Sequence, residues 1–299
     1  MHGFSDHINR YYDFFPQLAS RGIIVYGFDQ RGWGRNVHRS ADRGLTGPTA
    51  VVLADIASFT QSCLAQTPAD APLFVMGHSM GGAQVLTLAS AQGGHAELVG
   101  RVRGWLLESP FLDFCDGQAP NRLTVLSGRL AAKVLPTYQM LNAIPEEHFS
   151  RDPEVVQSIK DDPLCHSTGT LEGLAGLLDR STRLVRGKTT LLVGSNSSTA
   201  SGSHPQAGVQ SMILFHGSDD KTASFPAAKA WWNAYASKVP DGQFCVMDGG
   251  YHQLHADYCR DEFYRQVGDW ILERAGGQGH GLVPIAGAPT TPDSVAAKL

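Results

Sequence analysis

Residues 73–82 read Leu73-Phe74-Val75-Met76-Gly77-His78-Ser79-Met80-Gly81-Gly82, and this stretch decides the fold. Four apolar residues fit a short buried strand, and a helical pattern runs on to about residue 92. Between them lies Gly-x-Ser-x-Gly, so the context is strand, sharp turn, helix. Such a turn holds a serine in a strained backbone conformation and lifts its hydroxyl above the sheet edge. Gly77 and Gly81 are the glycines of that turn, needed where neighbouring backbone passes too close for a Cβ. The helix behind the turn points its N-terminus at Ser79 and favours negative charge developing there. Five residues alone are a weak match; the strand and helix around them make Ser79 a candidate nucleophile.

Outward from this stretch, apolar runs bounded by Gly and Pro alternate with helical patterns, the rhythm of a parallel α/β sheet. Residues 22–28 read as a buried strand, and residues 49–66 place Val52, Ile56, Phe59 and Cys63 at helical spacing. Trp105-Leu106-Leu107 lies in the next strand. Residues 212–215 and 243–247 give two more, with helices near 226–237 and 258–273. The rhythm breaks over residues 120–186, which are helical in pattern with no good strand and are expected to form an inserted cap. The core is therefore expected at 1–119 and 211–275. A Ser/Gly-rich flexible loop is expected at 187–210, and the Gly/Pro/Ala-rich tail 276–299 reads as disordered.

A serine hydroxyl is too weakly acidic to attack unaided and needs a base and an orienting carboxylate. Ser, Asp and His follow in that order on loops after successive strands when the nucleophile sits on such a turn. His216-Gly217-Ser218-Asp219-Asp220 follows the strand at 212–215, and Asp248-Gly249-Gly250-Tyr251-His252-Gln253-Leu254-His255 follows the last strand. Both loops lie at C-terminal strand ends, where open α/β sheets place their sites. His252 directly follows the glycine turn and is preferred as base over His255, three residues further on. Strand and turn geometry does not choose between Asp219 and Asp220, and a turn-forming aspartate is the plainer reading of Asp219.

The totals exclude several classes. The chain has 299 residues, 42% hydrophobic and 17% charged, with a net charge of −4, which gives no electrostatic reason for nucleic-acid binding. No apolar run reaches membrane-spanning length, and the polar first residues do not form a secretory signal. Five scattered cysteines without a Cys-x-x-Cys pair, and twelve histidines without His-Glu-x-x-His, argue against a disulfide framework and a metal site. No cofactor is expected, and the cysteine usage points to a reducing compartment.

With residues 77–82 in hand, the chain resembles the monoacylglycerol lipases of the α/β-hydrolase superfamily over about residues 2–186 and 211–273. The resemblance extends to His2-Gly3-Phe4-Ser5-Asp6-His7-Ile8-Asn9-Arg10-Tyr11, similar to the family's oxyanion loop. It also takes in Asp29-Gln30-Arg31-Gly32-Trp33-Gly34, where Trp33 replaces the usual histidine. Ser150-Arg151-Asp152-Pro153-Glu154-Val155 and Asp161-Asp162-Pro163-Leu164 resemble the family's cap. The resemblance implies an α/β-hydrolase fold with a helical cap and a Ser79–Asp220–His252 triad. It also implies oxyanion donors at the backbone amides of Phe4 and Met80, and hydrolysis of a lipid monoacylglycerol through an acyl-enzyme. A lysophospholipase or general carboxylesterase is the alternative within the enzyme class. A silent or N-terminally incomplete chain is the alternative outside it. In the family's sheet a strand precedes the His-Gly pair, between residues 22–28 and 73–76. Without it both neighbours are expected to expose unpaired edges, and this form is expected to be less active or less soluble.

Residues 122–135 place Leu123, Leu126, Leu130 and Val134 on one helical stripe. That fits either a helix packed on the core or a lid that touches membrane or lipid-droplet surfaces. Ala297-Lys298-Leu299 is a conservative variant of the Ser-Lys-Leu peroxisomal address. A cytoplasmic or lipid-surface location, with a peroxisomal alternative, is therefore expected.

Overall fold

The computed structural model describes residues 1–193 and 208–276. Its first elements are α1 (Phe14–Ser20), α2 (Thr49–Leu64), β1 (Leu73–His78), α3 (Met80–Leu88), α4 (Ala96–Arg101) and β2 (Val102–Glu108). The intervening segment holds α5 (Arg122–Val134), β3 (Gln139–Leu141), α6 (Pro153–Lys160), β4 (Thr168–Thr170) and α7 (Leu171–Val185). The chain then returns to the sheet with β5 (Ser211–Gly217), α8 (Phe225–Tyr235), β6 (Asp241–Met247) and α9 (Arg260–Ala275).

The main sheet is parallel throughout, in the order β1-β2-β5-β6. The central strands β2 and β5 are almost wholly buried because helices cover both faces, whereas the edge strand β6 is mostly half-buried or exposed. Along β2, Trp105 and Leu107 enter one core cluster with Val52 and Ile56 of α2, Leu86 of α3 and Trp231 of α8. Leu106, between them, enters the other with Phe14 of α1 and Phe263, Val267 and Trp270 of α9. β5 splits in the same way, Met212 and Leu214 against Ile213 and Phe215. A two-residue side-chain period inside an unbroken apolar run thus feeds two cores.

Two expectations are corrected. Residues 22–28 do not form a strand: after a turn at Gly22 they carry no regular structure and no sheet partner, and Ile24 is 66% exposed. A strand exists only through a neighbour's hydrogen bonds, and here a cavity of about 330 Å³ separates the segment from β1. Ile23, Val25, Phe28, Phe74 and Met76 line it. Only at its end is the free edge of β1 occupied, where the Met1 amine donates to the Met76 carbonyl (2.7 Å) and the His78 amide to the Met1 carbonyl (2.9 Å).

The second correction lies in residues 120–186, which are not purely helical. Thr168–Thr170 pairs antiparallel with Gln139–Leu141, and three residues per strand are too few to leave a periodic signal. The run Thr189–Val193 makes a single bridge, Leu191 to Ser90, and does not line the cavity. Residues 194–207 of the expected loop, and the tail from 277 with its Ala-Lys-Leu ending, lie outside the described residues. Among the described residues no helix is long and apolar enough to cross a membrane.

Candidate active site

β1 ends at His78, and the chain reverses into α3 at Ser79, whose φ is +52°. That conformation strains any residue with a Cβ and is kept only where the surroundings over-determine it. The determinants are local. A Cβ on Gly77 would lie 2.5 Å from the Gly81 carbonyl oxygen. One on Gly81 would lie 2.4 Å from the Met1 and 2.6 Å from the His2 carbonyl oxygens. The turn after β1 and the loop at residues 1–4 are therefore stacked backbone on backbone. The Ser79 amide donates to the Glu108 carbonyl at 3.0 Å, which ties the turn to the end of β2.

Ser79, Asp220 and His252 come together. His252 Nε2 is 2.8 Å from Ser79 Oγ, and His252 Nδ1 is 2.8 Å from Asp220 Oδ2. All three residues are buried. The other carboxylate oxygen, Asp220 Oδ1, accepts the amides of Thr222 (2.7 Å) and Ala223 (2.9 Å), so the carboxylate plane is fixed by backbone. Burial pushes the Asp220 carboxyl up. The His252 charge and hydrogen bond, the nearby His216 and the Thr222 amide outweigh that and hold it below the ordinary carboxylate value. An ionised acceptor on Nδ1 leaves Nε2 free to take a proton from the serine. Asp219 instead lies beside Ser218, whose hydroxyl donates to it at 3.3 Å.

His255 is not near the serine hydroxyl. Its Nδ1 lies 2.7 Å from Glu108 Oε1, its amide donates to the same oxygen, and its ring stacks on Tyr11 at 4.3 Å. His78 Nδ1 sits 3.7 Å from Glu108 Oε2. Burial drives the His78 imidazole well below its ordinary value, and His252 and His255 push the same way, so His78 stays neutral. Glu108 with two histidines forms a polar floor under the serine turn that the sequence reading missed. The available signal was a carboxylate closing the apolar run Trp105-Leu106-Leu107 at a C-terminal strand end.

The loop after His2 wraps over the serine. Gly3 approaches so closely that a Cβ there would meet Ser79 Cβ at 3.2 Å. His2 is buried, and its ring nitrogen accepts the Gln30 amide at 2.8 Å, while its carbonyl accepts the Gln30 side chain at 2.8 Å. Asp29 accepts the amides of Ile8 (3.0 Å) and Arg35 (2.8 Å). The amides of Phe4 and Met80 are not used in the turns around them. Trp33 is buried, stacked on His166 at 4.9 Å and edge-on to Phe4 at 4.8 Å, so it braces this loop against the segment before β4. The 330 Å³ cavity touches His2 and His78 but not Ser79, and it belongs to the sheet edge rather than to this cleft.

Residues 1–258 match a hydrolase family described as serine aminopeptidase, S33. A putative monoglyceride lipase of Schizosaccharomyces pombe is 28% identical over 92% of this chain and 67% of its own length. A monoacylglycerol lipase of Mycolicibacterium smegmatis is 25% identical over 91% of this chain and 86% of its own, and a mouse monoglyceride lipase 25% identical over 95% and 84%. Among solved structures, a soluble variant of the Saccharomyces cerevisiae monoglyceride lipase superposes with a TM-score of 0.77 at 20% identity, covering 92% of this chain and 85% of that one. The Paleococcus ferrophilus monoacylglycerol lipase gives 0.71 at 21% identity, over 92% and 93%. These likenesses establish the α/β-hydrolase fold.

Proposed function

The chain belongs to the serine aminopeptidase S33 family of hydrolases and is a carboxylic ester hydrolase of the monoacylglycerol lipase type; from that premise we propose that it cleaves monoacylglycerols by an acyl-enzyme route on Ser79. His252 removes the Ser79 proton as Oγ attacks the ester carbonyl, and Asp220 holds the imidazole in the right tautomer and stabilises the imidazolium. The negative charge on the tetrahedral intermediate is taken up by the amides of Phe4 and Met80, the latter at the N-terminus of α3. His252 then passes its proton to the departing glycerol oxygen, and a water molecule hydrolyses the acyl-enzyme by the same steps in reverse. The observation that carries the reading is the unbroken Ser79–His252–Asp220 relay of two 2.8 Å contacts.

The peptidase in the family's description is the second reading. The exposed apolar face of α5 favours a lipid. Leu123, Leu126, Leu130 and Val134 all face solvent, and none of the helix is buried. Asn121 caps α5, its half-buried residues besides Arg129 are the small or short Val125, Gly128, Ala131 and Ala132, and Arg129 pairs with Asp179 of α7, so the helix is held on that face while its leucine stripe points outward. That stripe is the surface with which the enzyme meets a membrane or lipid droplet.

Labelling with a fluorophosphonate probe and mapping the adduct tests the nucleophile. The expected adduct is on Ser79, and well-folded protein without it ends the serine reading. Hydrolysis rates across monoacylglycerols of increasing chain length, against lysophospholipids, soluble esters and aminoacyl amides, then separate lipase, esterase and peptidase.

A further inference from the structure

Where the loop at residues 2–12 meets the segment between α6 and β4, three side chains of different chemistry converge. His7 Nε2 lies 2.8 Å from Asp162 Oδ2, and a donor atom of each of His7, Asp162 and Cys165 lies within 4.8 Å of the other two. The imidazole, carboxylate and thiol offer nitrogen, oxygen and sulfur donors, and zinc, a borderline ion, takes all three in four-coordinate sites. Zinc bonds of about 2.0–2.3 Å place tetrahedral donors roughly 3.3–3.8 Å apart, so the cluster closes on an ion with small rotamer adjustments.

We propose that His7, Asp162 and Cys165 form a binding site for a zinc-type divalent cation that clamps the loop carrying Phe4 to the cap, with water as the fourth ligand. The 155 and 158 residues separating His7 from the other two hid the site from any spacing rule. Without metal, Nε2 carries the ring proton and donates it to Asp162, while the second nitrogen, Nδ1, is buried without a hydrogen-bond partner among the described residues; it can therefore take the proton over and leave Nε2 a lone pair for the cation. Access is open, because the Asp162 side chain is 20% exposed and Cys165 is half-buried.

The charges around the cluster set the terms of binding. Asp6 and Asp162 favour a cation; Arg10, whose guanidinium reaches to 3.7 Å from Asp162 Oδ2, opposes one. Burial, with Asp6 adding and Arg10 opposing, pushes the Cys165 thiol up to about 12. The site is therefore a neutral thiol until the metal arrives. The cation bonds to sulfur, the S–H bond breaks and the proton goes to solvent, while the His7–Asp162 hydrogen bond gives way to two metal bonds. Affinity must fall with acid, since both the thiol and the imidazole must be deprotonated.

Cadmium, as a spectroscopic stand-in for zinc, tests this on the full chain. One equivalent is expected to produce a thiolate-to-cadmium charge-transfer band in the ultraviolet and to shield Cys165 from iodoacetamide, read by peptide mapping. Zinc is expected to displace it. Cys165→Ser abolishes the band, Cys245→Ser leaves it intact, and His7→Gln and Asp162→Asn each weaken binding. Loss of a single outer-shell partner already costs about 10–100-fold in affinity, so a ligand costs at least that. A band of equal strength in Cys165→Ser, or alkylation of wild-type Cys165 at the same rate with and without metal, overturns the proposal. The alkylation arm uses the unaltered protein, so a misfolded variant cannot mask the result.

Discussion

Replacing Asp220 by Asn makes a directional prediction, because the two carboxylate oxygens have unlike partners. Oδ1 accepts two backbone amides, Thr222 and Ala223, and only an oxygen can stay there. The new NH2 group must therefore take the Oδ2 position, 2.8 Å from His252 Nδ1. A donor facing Nδ1 forces that nitrogen to accept and moves the ring proton to Nε2, against Ser79 Oγ. The histidine can then no longer receive the serine proton. Loss of the correct tautomer with geometry intact lowers kcat by on the order of 10⁴, about 5 kcal/mol at the transition state. The fold changes little, since both backbone hydrogen bonds survive. The assay is steady-state hydrolysis of a monoacylglycerol, with a melting curve on the same sample and Asp219→Asn as a control expected within about twofold of wild type. A kcat for Asp220→Asn within about tenfold of wild type, at unchanged melting temperature, would refute the reasoning.

Other outcomes follow from the same structure. Leu126 and Leu130 are each 56% exposed; burying just over half of two leucines at about 1.5–3 kcal/mol each gives about 2–3 kcal/mol on a lipid surface. Leu126→Ser with Leu130→Ser should lower vesicle partitioning by roughly 30- to 150-fold and spare hydrolysis of a soluble short-chain ester; unchanged co-sedimentation would remove the cap from surface binding. Gly81→Ala puts a Cβ against the Met1 and His2 carbonyls and displaces the loop carrying Phe4, so kcat should fall by about 10²–10³, the loss of one oxyanion donor; normal turnover would show that this loop is not needed. Asp29, Asp162 and Asp220 are all held below the ordinary carboxylate value despite burial, by amides or histidines. Their stabilisation is complete above about pH 4 and lost as pH falls through the lowered folded values. Melting temperature should thus fall steeply below about pH 4, less so in Asp29→Asn; parallel curves for the two proteins would exclude Asp29.

The serine turn was legible because its requirements are local. Strand, glycines, serine and helix occupy ten consecutive residues, and the stereochemistry of one turn dictates them. The segment at residues 22–28 shows the opposite case. Its composition is that of a strand, but pairing belongs to the neighbour across a gap, which no window of sequence contains. The choice between His252 and His255 turned on position along the loop, whereas the structure separates them by what each nitrogen meets, Ser79 for one and Glu108 for the other. The outward face of α5 was ambiguous for the same reason. An amphipathic pattern states that one side is apolar and leaves open whether protein or solvent lies against it.

The segment from Ser109 to Gln210 leaves β2 and returns to β5, and these strands are hydrogen-bonded neighbours with Glu108 opposite Phe215. The two strands are parallel, so the chain leaves at the end of β2 and re-enters at Ser211, four residues along β5 from the point opposite its exit. Loop-closure entropy grows only slowly with such length, but Leu184 of α7 is fully buried in the core cluster against the sheet, so an exchange of this block must keep α7. Evolution can rewrite which esters reach Ser79 by swapping one contiguous block of the gene. A further constraint lies at the loop over the serine. The Ser167 amide on Ser5 Oγ at 2.9 Å and Asp162 on His7 bind the block to the loop carrying Phe4. A graft that alters substrate range without loss of rate must carry both contacts with it.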